Sequence, residues 1–285
     1  MIIDAHQHFW DLESGSYPWL TAAYGPIYRS FDEAQLEPEL RSCGVSGTVL
    51  VQSMDSYEDS DAMFAVAQRW RYVMGVVAWA PLTRAEESAK AIERFRRHDA
   101  FVGVRHLIHE EPDPDWLLRD DLQRGLELLE ANGFTFDVVA VLPRHLDHVA
   151  TLAERFPRLK LVVDHTAKPP IKDGGWLPWA ELMTRAASYP NVYTKLSGLN
   201  TAANWETWGP DDLRPYVDHA LGAFGANRVM FGSDWPVSIL AGGYQKVWAA
   251  TQSLLSGLTE DERAMVLGAT ASEFYGLEVR TSSTS

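Results

Sequence analysis

A single (β/α)8 barrel of parallel strands is the α/β fold that the sequence predicts, and three observations predict it. Eight short apolar or β-branched runs bounded by turn or helix signals lie at residues 2–8, 48–53, 72–79, 101–107, 134–139, 159–165, 191–197 and 228–234. Amphipathic stretches with helical spacing separate them, for instance at 61–70, 85–97, 121–131, 146–156, 179–189 and 211–224. Such alternation implies parallel strands joined by crossover helices, and the later runs recur at about the 30 residues that one strand and its crossover helix need. Finally, no Gly-x-Gly-x-x-Gly turn follows any run, which favours a closed barrel over an open dinucleotide-binding sheet.

The 285 residues fit one such barrel, expected over 1–276, with a disordered tail over 277–285 that ends in Arg-Thr-Ser-Ser-Thr-Ser. Hydrophobic residues at 46% are enough for a sizeable core. Twenty-five Lys and Arg against 39 Asp and Glu, a formal charge of −14, exclude a broad basic face, so nucleic acid is not an expected partner. The lone cysteine, Cys43, excludes an internal disulfide and a thiolate metal cage, and is expected to be a small buried residue. No membrane-length apolar run or basic leader is present, so a cytoplasmic chain without membrane contact is expected. Nothing in the sequence speaks to oligomeric state.

In a barrel of this kind the chemistry belongs at the carboxyl ends of the strands. Strand 1 ends in His6-Gln7-His8, strand 2 in Gln52, and strand 4 in Arg105-His106. Strand 5 contains Asp137, strand 6 ends in Asp164-His165, strand 7 holds Lys195 and strand 8 ends in Ser233-Asp234. Alternation puts His6 and His8 on one face, taken with Ile2 and Asp4 as the barrel interior, about 6.5 Å apart. Two such imidazoles reach one ion or one substrate carbonyl, and a strand-8 carboxylate closes the same site from the other flank. Residues 11–30, inserted before the first helix, are expected to form an active-site loop. His109 lies in a loop from which the site can be reached but is expected, as a surface loop histidine, to be solvated. His98, His145, His148 and His219 fall on helices or their ends and are expected to be exposed.

The run Ile-Ile-Asp-Ala-His6-Gln-His8-Phe-Trp10, the Val-Gln52-Ser, the Gly-Val-Arg105-His106, the Asp164-His165, the Lys195-Leu-Ser-Gly and the Phe-Gly-Ser-Asp234-Trp235-Pro together resemble the amidohydrolase superfamily. More narrowly they are similar to its sugar-lactonase branch, which holds the L-fucono- and L-rhamnonolactonases. The resemblance runs from residue 2 to about 275. It implies a distorted TIM barrel that hydrolyses an aldonolactone, with L-fuconolactone the first candidate. It also implies that His6, His8 and His165 are catalytic histidines and that Asp234 is the general base and acid. Strand 4 offers Arg105 in place of a metal-bridging lysine, and strand 5 Asp137 in place of a ligand histidine. What remains is one zinc held by His6, His8, His165 and Asp234, or lactone hydrolysis that needs no metal; no organic cofactor is implied.

Hydrolysis requires an activated water, a polarised carbonyl and a proton for the departing alkoxide. Asp234 takes the first and third tasks, although with an ordinary pKa near 3.9 it is a weak base unless the site raises it or a metal acidifies the water. Arg105 and Lys195 are assigned to the developing oxyanion or to ring hydroxyls. Gln52, His106 and Asp137 complete the polar substrate-binding set, with Trp10 and Trp235 as aromatic partners. Of the 11 tryptophans all but Trp70 and Trp248 fall just after strand ends, and about half of those are expected to wall a neutral sugar ring. The alternatives are a zinc-dependent decarboxylase of an aromatic or muconate-type acid and a hydrolase of a pyrone or muconolactone dicarboxylate. A sugar-binding barrel without turnover is the non-enzymatic one.

Overall fold

The computed structural model describes residues 1–278. Its strands form one parallel sheet in sequence order: β1 (Ile3–Gln7), β2 (Gly47–Val51), β3 (Val73–Ala78), β4 (Phe101–His106), β5 (Thr135–Val138), β6 (Leu161–Val163), β7 (Val192–Leu196) and β8 (Val229–Phe231). Each lies within a run expected from the sequence except β2, which starts one residue earlier, at Gly47. The two strands that stop well short of expectation, β6 and β8, are followed by backbone in the left-handed region, at His165 (φ 55°) and Asp234 (φ 55°), which ends the extended ladder.

Outside the sheet lie α1 (Glu33–Cys43), α2 (Tyr57–Arg69), α3 (Ala85–Phe95), α4 (Asp120–Asn132), α5 (Pro143–Arg155) and α6 (Trp179–Ala187). They are followed by α7 (Leu199–Ala202), α8 (Pro210–Phe224), α9 (Gly243–Leu254), α10 (Glu260–Ala264) and α11 (Thr270–Tyr275). Local chemistry sets their ends. Asp32 accepts from the amides of Ala34 and Gln35 to start α1, while Gln35 reaches back to the Asp32 amide, a reciprocal cap. Ser56 caps α2 through the Asp59 amide at 3.1 Å. None of the described helices is long and apolar enough to cross a membrane.

The apolar core has two parts. Side chains such as Leu36, Phe64, Phe95 and Leu126 fill the layer between helices and sheet. A smaller cluster inside the barrel joins Ile3, Ala5, Val49, Val77, Val162 and Met230 to Phe274, Tyr275 and Leu277, which plug the amino-terminal end. Leu277 is therefore a packed residue, bonded through its amide to the Ser272 carbonyl at 2.9 Å, and not the start of a loose tail. The expectation for residues 279–285 lies outside the described residues.

Strict alternation along β1 does not hold. Asp4 pairs with Thr48 and Gln7 with Leu50, so three steps on β1 oppose two on β2, the mark of a bulge. Ile3 and Ala5 point inward, and the bulge turns His6 inward as well, with His8, two residues on, sharing its face as expected. Asp4 points outward, beside Tyr244 of α9. Its carboxylate accepts from the amides of His6 (3.2 Å) and Ser233 (2.8 Å), so it fastens β1 to the segment after β8 and does not orient groups inside the barrel.

Closure of the barrel continues beyond β8. The Asp234 amide donates to the His6 carbonyl at 2.8 Å and the His8 amide to the Trp235 carbonyl at 2.7 Å. Gly232 permits this approach, since a Cβ there would stand 2.7 Å from His6 Cβ. Gly232→Ala is therefore expected to lower stability by roughly 1–3 kcal/mol, read as a lower urea midpoint at unchanged m-value. An unshifted midpoint would show that the seam has slack.

Candidate active site

His6 occupies the centre of the site and is fully buried. Its Nδ1 lies 3.1 Å from Lys195 Nζ and 3.3 Å from Asp164 Oδ1. Its Nε2 lies 3.1 Å from His8 Nε2 and 3.3 Å from Arg105 Nη1. Burial holds the His6 imidazolium well below its ordinary pKa, against the pull of Asp164, so the ring is neutral near pH 7. For His8 the tautomer follows from its partner. Nδ1 is 2.7 Å from the Val51 carbonyl, which can only accept, so the proton sits on Nδ1 and Nε2 keeps its lone pair.

Asp234 comes to these histidines from the far end of the chain. Its Oδ1 is 3.4 Å from His8 Nε2 and 3.8 Å from His6 Nε2. Burial alone would raise its pKa, but His165, His8 and His6 together hold it well below the usual carboxylate range. The site thus does not turn Asp234 into a strong base. The three donor atoms stand 3.1, 3.4 and 3.8 Å apart, against the ligand separation of about 3.4 Å expected around a tetrahedral ion with bonds near 2.1 Å. Two lone-pair nitrogens and one carboxylate oxygen at these distances fit a divalent ion such as zinc.

His165 stands beside this set and not within it. Its Nδ1 is bonded to Ser197 Oγ at 2.8 Å and lies 4.0 Å from Asp234 Oδ2, which leaves Nε2 as the nitrogen free toward the pocket. Burial lowers its pKa to about 4, despite Asp234 and Asp164, so it too is neutral near pH 7. Asp164, His6 and His165 form a second group with ligand-like spacing, but Asp164 is already committed to Arg105 and Lys195. Gly198, at φ +61°, makes room here, since a Cβ would fall 2.8 Å from both Asp234 Oδ2 and His165 Nδ1.

Below the site runs a network of buried charge. Lys195 Nζ donates to Asp137 Oδ2 at 2.6 Å and lies 3.0 Å from Asp164 Oδ1, and the Tyr275 hydroxyl from the barrel floor donates to Asp137 Oδ2 at 2.7 Å. Arg105 bridges Asp164 Oδ2 at 3.0 Å and the Gln52 carbonyl. Burial pushes Asp137 up to about 6, still ionised at neutral pH beside Lys195.

Above the site opens a cavity of about 230 Å³. Its floor includes His8, Arg105, His165 and Asp234; Trp10, Trp19 and Tyr24 line one part of it, and His109, Glu110 and Lys168 another. The insertion before the first helix supplies Trp19 and Tyr24, as expected of an active-site loop. His109 reaches the pocket, and burial lowers its pKa to about 3.

Several residues assigned to substrate from the sequence do not line this pocket. Lys195 and Asp137 are fully buried beneath His6, paired with each other. Gln52 turns its amide to Asp55 Oδ1 at 2.9 Å and the Arg105 carbonyl at 3.3 Å, behind Arg105. His106 faces outward, the strand neighbour of inward Arg105: it stacks on Trp116 at 4.1 Å, accepts from Trp79 Nε1 and donates to Glu111 at 2.7 Å. Trp235 packs edge-on against Phe9 and Phe31 in the core. Of the loop tryptophans only Trp10 and Trp19 reach the cavity. On the helices His145 and His148 are buried, not exposed. Sequence reasoning missed Asp164, the hub of the charge network, because it was read only as the neighbour of His165. It also missed Lys168, which no local pattern marks.

Fold and site together define a hydrolase built on a closed βα barrel with a histidine-carboxylate centre at the carboxyl ends of its strands. Residues 3–277 match the amidohydrolase family, and the chain belongs to it. It is 40% identical over 282 residues to the L-fucono-1,5-lactonase of Burkholderia ambifaria, covering 97% of this chain and 96% of that protein. A second L-fucono-1,5-lactonase, from Burkholderia multivorans, is 33% identical, with 96% of each chain covered. The crystal structure of a Burkholderia multivorans amidohydrolase with bound zinc superimposes with a TM-score of 0.90 at 32% identity, covering 98% of this chain and 100% of that one.

His8→Asn removes one of the three donors while leaving a polar side chain. Zinc affinity, measured by chelator competition, is expected to fall at least about 100-fold, because even indirect supports of a metal site cost 10- to 100-fold when removed. Unchanged affinity would exclude His8 as a ligand.

Proposed function

We propose that the protein hydrolyses a sugar lactone of the fucono or rhamnono type to the open sugar acid, with L-fucono-1,5-lactone the first substrate to test. What supports this most is the placement of His8 and Asp234, with His6 against both, at the floor of a pocket with an aromatic wall, in a chain 40% identical to a protein named for that reaction. The charge pattern agrees. A decarboxylase of an aromatic acid or a dicarboxylate hydrolase needs several cations with free donors. Here Arg105 bonds Asp164 and Gln52, and Lys195 bonds Asp137 and Asp164, and among the described residues Lys168 is the pocket cation whose side chain has no partner.

A divalent ion held by His6, His8 and Asp234 supplies Lewis acidity when bound, polarising the carbonyl and making water easier to deprotonate. The chain's own residues do the rest. Asp234 accepts the proton of the attacking water at its carboxylate and returns it to the alkoxide as the ring opens. The environment that weakens it as a base makes its protonated form a strong acid for that second task. His165, held through Nδ1 by Ser197, presents Nε2 to the carbonyl side, and Trp10 and Trp19 keep bulk water off the ring.

A pH-indicator assay against aldono-1,4- and 1,5-lactones, before and after chelation, tests this. The wild type is expected to release acid from at least one 6-deoxy sugar lactone. Asp234→Asn is expected to retain the fold and lose roughly 10³-fold or more in kcat. Acid release from no lactone would refute the activity, and near-normal turnover by Asp234→Asn would refute its role.

A further inference from the structure

We propose that Lys168 binds the substrate's hydroxylated edge and selects a polyhydroxylated lactone over a bare one. The inference rests on the lactonase reading and goes beyond it by naming the residue that reads the hydroxyls.

The first observation is backbone strain. His165, Thr166, Ala167 and Lys168 lie in the left-handed region in succession, with φ of 55°, 46°, 58° and 45°. For residues with a Cβ this costs about 1–2 kcal/mol each, and left-handed residues ordinarily occur singly. Such a turn persists only where its surroundings hold it. Here the Trp179 indole donates to the Thr166 carbonyl at 2.7 Å, Ser197 holds His165, and the Lys168 amide closes the turn on the His165 carbonyl at 2.9 Å. In a three-residue turn the side chains at positions i and i+3 lie over one another. The turn thus brings Lys168 and His165 to the lining of the same cavity.

The second observation is that the exposed Lys168 side chain has no hydrogen bond or ion pair among the described residues, in a chain with far more acids than bases. Lys195 and the terminal nitrogens of Arg105, the other cations at the strand ends, are engaged with carboxylates, a carbonyl and His6. An ammonium offers three donors and no acceptor, so what it recognises is oxygen. Trp10, Trp19 and Tyr24, which pack edge to face with one another, offer C–H groups the complementary surface. A ring with an apolar face and a hydroxylated edge satisfies both.

The experiment compares Lys168→Met with the wild type on L-fucono-1,5-lactone and on unsubstituted δ-valerolactone, the latter scored as substrate or, if it is not turned over, as competitive inhibitor. Met keeps the stem and removes the donors. For the sugar lactone kcat/KM is expected to fall roughly 10- to 100-fold, mainly through KM, as loss of a charge-assisted hydrogen bond requires. The valerolactone constant is expected to change less than about two-fold, and Lys168→Arg to recover part of the loss. Equal losses on both lactones would assign Lys168 to holding the turn, and no loss on either would exclude contact; each overturns the proposal. If the wild type opens neither lactone nor any other of the panel, it is the lactonase reading that falls, taking this one with it.

Discussion

Closure of the barrel between β8 and β1 is the contact on which the site depends. The β7–β8 ladder ends at Phe231, and from there the chain runs beside β1 through the Asp234–His6 and His8–Trp235 backbone bonds, with the Asp4 carboxylate clasping the Ser233 amide. The residues that make these bonds are the residues that carry the donors. The distance between Asp234 and the two histidines is therefore set by main-chain hydrogen bonds at strand ends, not by flexible side chains reaching across a gap. Rigid elements hold such a constellation more closely than loops do. The left-handed backbone at Asp234 completes the arrangement by ending the extended run just where its carboxylate meets the histidines.

The seam needs a neutral interior to work. Two cations, Arg105 and Lys195, and two anions, Asp137 and Asp164, are buried as a chain of ion pairs in which Arg105, Lys195 and Asp164 also touch His6. Removing one member would leave an uncompensated buried charge, a loss typically of about 3–5 kcal/mol, so the four stand or fall together. Because they balance, His6 need carry no charge, and a neutral imidazole is what a metal or a carbonyl requires. The hydrogen-bond file continues to Tyr275, so α11, which closes the opposite end of the barrel, is tied to the same network.

Much of this was legible in the sequence, for physical reasons. Strands buried on both faces read as short apolar or β-branched runs, and all eight were visible as such between their turn and helix signals. His6, His8 and Asp234 were legible because chemistry collects at strand ends. What was not legible depended on geometry that no local pattern encodes. The bulge in β1 reversed the expected direction of Asp4, so alternation holds from His6 to His8 but not back across the bulge to Asp4. A polar residue one step along a strand faces the other way, which is why Arg105 belongs to the site and His106 to the layer outside it. The left-handed turn at 165–168 carries no glycine or asparagine to announce it, and so Lys168 went unseen.

The tryptophans show how a compositional excess acquires a different meaning in three dimensions. They do not mainly wall the pocket; they fasten the loops around it. Trp10 donates to the Arg29 carbonyl, Trp19 to Ser53, Trp179 to Thr166 and Trp208 to Ala241, each an indole N–H meeting a backbone acceptor outside the strands. Loop carbonyls that are shielded from water need a partner, and an indole provides one along with a large apolar body to fill the space beneath. Trp10 and Trp19 do both jobs, since the faces not spent on packing are the ones the cavity sees. The aromatic wall is thus rigid because its members are structural first.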